Sequence, residues 1–131
     1  MIYRLYKKLK SIAENEFYDI VQNSEIIFSY SGRARKLRVN LIDGTFIDIW
    51  YSIEGEYSLH WEQRGIRDRI YRHDNAPHLK WADIKTFPKH CHNRREENVS
   101  ESFISDDPED AIREFIGIVR EELIELKVHS K

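Results

Sequence analysis

Apolar side chains recur every three or four positions near the start of the chain: Ile2, Leu5, Leu9, Ile12, Ala13, Phe17, Ile20 and Val21. Lys7, Lys8, Lys10 and Glu14 occupy the other side, so the pattern predicts an amphipathic helix that Asn15 could divide in two. Asn23 and Ser24 close it. From Glu25 the period becomes two. Ile26-Ile27-Phe28 opens an apolar run that stops at Ser31-Gly32, and Leu37, Val39 and Leu41 then alternate with Lys36, Arg38 and Asn40. Asp43-Gly44 suits the positive φ values of a type I′ hairpin turn, and Phe46 to Ile53 reads as the return strand. After Glu54-Gly55, Tyr57, Leu59 and Trp61 alternate with Ser58, His60 and Glu62, and Gly65 precedes a further run ending at Ile70-Tyr71. Closely spaced turn signals between short alternating runs predict an antiparallel meander of four to five strands.

The last element announces itself by its cap. Asp107 is a good N-cap residue, Pro108 suits the first helical position, and Glu109 and Asp110 put negative charge at the positive helix end. Ile112, Phe115, Ile116, Val119, Leu123 and Leu126 form the stripe that follows. The expected fold is therefore α+β: an antiparallel meander with an N-terminal and a C-terminal helix packed on it, in a single domain over residues 1–131. Residues 93–105 read as an exposed connection.

Composition narrows the class. A chain of 131 residues, 40% hydrophobic and 34% charged, can bury a core without staples and is neither collagen, low-complexity disorder nor a coiled-coil rod. No apolar run approaches the roughly 20 residues of a membrane span, and no signal-peptide pattern opens the chain. Cys91 alone cannot form an internal disulfide, and the expected compartment is the reducing cytoplasm. The net charge of −2 conceals an asymmetry: residues 33–95 carry +5 and residues 96–131 carry −7. A basic middle can favour an anionic partner.

Residues 71–95 fit neither period. They hold four of the six histidines, the only cysteine and two of the three prolines, with Tyr71, Trp81 and Phe87 arguing against disorder. Four readings of this stretch compete. It could be a metal site, with His73, Asp74, His78, His90, Cys91 and His92 as possible ligands, although neither His90-x-His92 nor the His73–His78 spacing is a specific zinc pattern. It could be acid–base chemistry on an anionic substrate, the histidines moving protons while Arg69, Arg72, Lys80, Lys89, Arg94 and Arg95 hold phosphate. It could be a nucleic-acid surface without catalysis, with Trp81 or Phe87 stacking on bases. Or it could be structural, with turn-capping and half-buried side chains. A lone cysteine such as Cys91 is more often a small buried hydrophobe than a nucleophile.

The string Tyr71-Arg72-His73-Asp74-Asn75-Ala76-Pro77-His78, followed by Thr86-Phe87-Pro88-Lys89-His90-Cys91-His92, resembles the TumE family. These are small proteins described as the toxin component of type II toxin–antitoxin modules. The order of elements agrees over most of the chain. Two features depart from the family pattern: Cys91 stands where lysine or another non-cysteine residue is common, and the link from Leu79 to Lys85 is longer than usual. The resemblance implies a toxin acting on RNA or translation, with a cognate small helix-turn-helix antitoxin as partner.

Residues and resemblance together lead first to an endoribonuclease that works without a metal or other cofactor. His73, His78, His90 and His92 supply the acid and base, Asp74 orients a neighbouring ring, and Arg69, Arg72, Lys89 and Arg95 hold the phosphate. RNA cleavage suits that set because the substrate's own 2′-hydroxyl can be the nucleophile. The alternatives are a non-catalytic RNA- or protein-binding module and a metal-dependent hydrolase, whose ligands would come from His73, His78, His90 and His92. RNA and the antitoxin are the expected partners, a homodimer is possible, and no membrane is expected.

Overall fold

The computed structural model describes residues 1–129. Helix α1 (Ile2–Glu16) leads into seven strands, β1 (Val21–Phe28), β2 (Ala34–Leu41), β3 (Phe46–Tyr51), β4 (Tyr57–Glu62), β5 (Ile70–Asp74), β6 (His90–Arg94) and β7 (Val99–Glu101). A single turn of helix, α2 (Arg64–Arg67), joins β4 to β5, and helix α3 (Pro108–His129) closes the chain. The strands form one sheet in sequence order, every neighbouring pair antiparallel. This is the expected α+β meander with a helix at each end, with seven strands in place of four to five.

The extra strands have a physical explanation. β6 and the part of β5 beyond Tyr71 escape the alternation test because histidine, arginine and aspartate replace the apolar residues that usually mark a strand's buried face, and β7 is only three residues long. At the other end, α1 stops at Glu16, and Phe17 and Ile20 reach the core from the turn that follows it. Val21 already belongs to β1, whose register is irregular between Val21 and Asn23, and that irregularity masks the period of two. The β2–β3 turn also differs from expectation. Gly44 has φ +90° and Asp43 is not in the left-handed region, whereas type I′ needs both. Leu41 and Thr45 close a three-residue loop around that glycine instead.

Both long helices lie on one face of the sheet. Leu37, Val39, Leu41, Ile47, Ile49, Tyr51, Tyr57, Leu59 and Trp61 meet Tyr6, Leu9 and Ile12 of α1 and Ile112, Phe115, Ile116 and Val119 of α3 in one core. Some of its polar atoms tie the layers together, while the hydroxyls of Tyr51 and Tyr57 are buried without a partner. Tyr6 Oη donates to Arg35 O and accepts from Tyr51 N–H, both at 3.0 Å, pinning α1 across β2 and β3. Trp61 Nε1–H donates to Thr45 Oγ1 at 2.8 Å. Asp107 caps α3 as expected, its Oδ2 accepting from Asp110 N–H at 3.0 Å. Among the described residues neither long helix lies on the opposite face, whose side chains include Lys36, Arg38, Asp48, Trp50, Ser58, His60, Arg72, Asp74, His90 and His92. Residues 75–89 fold over one end of it, with a 3₁₀ turn at Leu79–Trp81.

Candidate functional site

β5 and β6 run antiparallel with Arg72 opposite His92 and Asp74 opposite His90. Directly opposed residues share a face, so these four converge on the open side of the sheet. Tyr71, His73 and Cys91, one step out of phase, turn to the helices. Asp74 is the hub of the open side. Its Oδ1 accepts from Ala76 N–H and its Oδ2 from Arg72 Nε–H, each at 3.0 Å. His90 Nε2 stands 3.0 Å from Oδ1 and His92 Nε2 stands 3.8 Å from Oδ2. The two rings lie 4.9 Å apart, nearly perpendicular. Burial pushes the His92 imidazole below its usual pKa, so the ring is neutral at pH 7.

Arg72 holds the neighbourhood together. Beyond Asp74 it makes a two-pronged pair with Glu96, and its Nη1 donates to His60 Nδ1 at 3.3 Å. With Nδ1 accepting, the neutral His60 ring donates from Nε2 to Glu62 at 3.1 Å, and burial lowers its pKa as well. An open groove beside the hub is lined by Arg72, Asp74, His78, Lys80, Trp81, His92, Glu96 and Glu97. The Trp81 ring meets His92 edge-on at 6.3 Å, and the Lys80 ammonium lies 4.9 Å over Trp81.

Of the histidines singled out in the sequence, the fold brings His90 and His92 together with Asp74 and sets exposed His78 nearby, 6.4 Å from the His90 ring. His73 goes elsewhere. Its ring nitrogens lie 2.7 Å from Tyr71 Oη and 2.7 Å from Ser102 Oγ, beside Phe115 of α3, and burial drives its pKa down to about 4. The cations divide similarly. Arg69 pairs with Glu122 of α3, Lys89 donates to Ile104 O and pairs with Asp106, and Arg95 is exposed in the β6–β7 turn. Only Arg72 of the four lines the groove, already engaged by two carboxylates. Burial raises the Cys91 thiol to about 11, so it stays protonated at neutral pH. Two participants escaped the sequence reading: Glu96, whose place depends on the β6–β7 turn, and His60, whose partner Arg72 is visible only through strand register.

A family model described as Toxin TumE matches residues 8–123, most of the chain. The chain belongs to the TumE family. No curated protein and no solved structure matches it. TumE membership gives the protein the role of a toxin, and a toxin of this kind implies a cognate antitoxin. The two strings that carry the TumE resemblance become the end of β5 with its loop and the start of β6, and they supply Asp74, His78, His90 and His92 to one place. Among the described residues no helix is long and apolar enough to cross a membrane. Chemically, this TumE site offers imidazole lone pairs beside a carboxylate, an exposed histidine, a lysine and an indole at the rim. Such a set can accept and deliver protons next to an anion and a flat ring.

Proposed function

We propose that this TumE toxin is an endoribonuclease that takes single-stranded RNA into the groove on the open face of the sheet. The observation that carries the reading is the convergence of Asp74, His78, His90 and His92 beside Lys80 and Trp81 on the sheet face that neither long helix covers. Lys80 and Arg95 meet phosphates, and Trp81 stacks on a base. The 2′-hydroxyl of the RNA attacks the adjacent phosphorus, so a 2′-O–P bond forms as the P–O5′ bond breaks. The 2′ proton is taken up at the Asp74–His90–His92 centre, and His78 gives a proton to the departing 5′-oxygen. The module is of type II, and its antitoxin is a small helix-turn-helix protein.

Single-turnover cleavage and equilibrium binding of a single-stranded RNA test this. His78→Ala and His92→Ala lower the cleavage rate by roughly 10²–10⁴-fold with little change in affinity, as loss of a positioned proton carrier does. Lys80→Ala and Trp81→Ala weaken binding, and the lysine variant flattens its salt dependence. A wild-type protein that binds RNA without cutting it makes the groove a binding surface and overturns the enzyme. One that does neither leaves a protein target.

A further inference from the structure

Two backbone carbonyls decide which atoms of the histidine pair face inward. Pro88 O accepts from His90 Nδ1–H at 2.9 Å, and Glu96 O accepts from His92 Nδ1–H at 2.6 Å. A carbonyl can only accept, so each Nδ1 carries a proton and each ring turns its Nε2 to the other side. Both Nε2 atoms face the Asp74 carboxylate. His90 Nε2, on a ring 1% exposed, makes no hydrogen bond at all despite standing 3.0 Å from Asp74 Oδ1. A buried ring nitrogen without a partner is costly, and two imidazole nitrogens turned toward one carboxylate, which Arg72 meets only at Oδ2, leave a place for a cation among them.

The spacing suits such a cation. The ligand atoms lie within 4.8 Å of one another. A four-coordinate ion with bonds of about 2.0–2.1 Å needs its ligand atoms roughly 3.3 Å apart, and each ring nitrogen has an Asp74 oxygen near that distance: Oδ1 at 3.0 Å from His90 Nε2 and Oδ2 at 3.8 Å from His92 Nε2. The Nδ1–H···O=C anchors are the outer support that holds metal-binding imidazoles in one tautomer. Asp74 and His92 open onto the groove, so a fourth position would face substrate.

We propose that Asp74, His90 and His92 bind one divalent transition-metal ion of the zinc type through two imidazole nitrogens and the Asp74 carboxylate, with the remaining position open to the groove. The donor set contains no thiolate, because Cys91 lies on the other side of β6. This departs from the expectation of a metal-free site. The ion's catalytic use rests on the endoribonuclease reading; its binding does not. In that use an ion-bound hydroxide takes the 2′ proton and becomes bound water, and the ion stabilises charge on the phosphoryl oxygen.

The test uses the full chain, stripped with a chelator and titrated with Zn2+ by calorimetry and with Co2+ by visible absorption. One equivalent of each binds, the cobalt spectrum shows four- or five-coordinate d–d bands without a thiolate charge-transfer band, and Cys91→Ala behaves alike. Asp74→Asn and His92→Gln each weaken Zn2+ binding by at least about 100-fold, with circular dichroism reporting whether they remain folded. If both variants unfold, the wild-type stoichiometry and cobalt spectrum decide. No saturable binding by the wild type, a thiolate band, or full affinity in the folded variants overturns the site. Cleavage of RNA by protein that binds no metal would overturn the ion and leave the ribonuclease standing. One tightly bound equivalent on a protein that never cuts RNA would do the reverse.

Discussion

His73 and Asp74 are consecutive, yet they face opposite sides of the sheet. Asp74 joins the site, while His73 is a core residue bridging Tyr71 and Ser102 beneath Phe115. One step along a strand makes that difference, since side chains alternate with a period of two. Sequence could name both as candidates but had no apolar alternation in this stretch from which to fix the phase. His73→Gln should therefore behave as a stability variant. Losing one of two buried hydrogen bonds costs about 1–3 kcal/mol, read as a lower urea midpoint with an unchanged slope. The RNA cleavage rate of the folded fraction, at saturating protein, is expected to stay at the wild-type level. A slow but fully stable His73→Gln protein would return His73 to the site.

At the scale of elements, charge pairs link neighbouring strands on the open face where the covered face is held by packing. Asp48 of β3 receives Lys36 Nζ at 2.9 Å and the Arg38 guanidinium at 2.8 and 2.9 Å, both from β2, while His60 of β4 lies opposite it. Burial alone would push the Asp48 carboxyl up; the Arg38 and Lys36 hydrogen bonds together outweigh it, and the pKa ends below its ordinary value. A carboxyl depressed on folding stabilises the native state at pH values above its unfolded pKa of about 3.9. That stabilisation is lost as pH falls through the lower folded value. Asp48→Asn should cost about 1–2 kcal/mol at pH 7, where the wild-type group is charged, and the gap to wild type should narrow below pH 3 in denaturant melts. A gap that is constant from pH 7 to pH 2 would show that packing, not charge, carries the effect. The alternation of Lys36 and Arg38 with apolar neighbours made β2 legible; β6 and the end of β5 were illegible because polar groups occupy positions that face both ways.

For the whole molecule, the placement of the helices bears on how a partner could block the groove. α1 and α3 cover one side of the sheet, so an antitoxin that neutralises the site has the other side to bind, where the groove opens. Hydrogen exchange on the toxin–antitoxin complex should show protection in residues 75–82 and 94–97. Protection confined to α1 and α3, with none around the groove, would mean neutralisation at a distance. Much of this architecture was set locally. Two amphipathic helices, the capping of α3 by Asp107, the run of turns and the alternation in β2, β3 and β4 are short-range patterns, because a helix stripe or a strand face is written into consecutive residues. The strings around Asp74 and His90 likewise marked the family and the region of the site. The site itself was decided only by tertiary structure. Asp74 meets His90 and His92 through the β5–β6 register across a fifteen-residue loop, and Glu96 reaches Arg72 from a separate turn. The tautomers of both histidines depend on carbonyls at Pro88 and Glu96 that carry no side-chain identity. Backbone groups are the same in every residue, so no reading of side chains could have shown which imidazole nitrogens would be left facing the carboxylate.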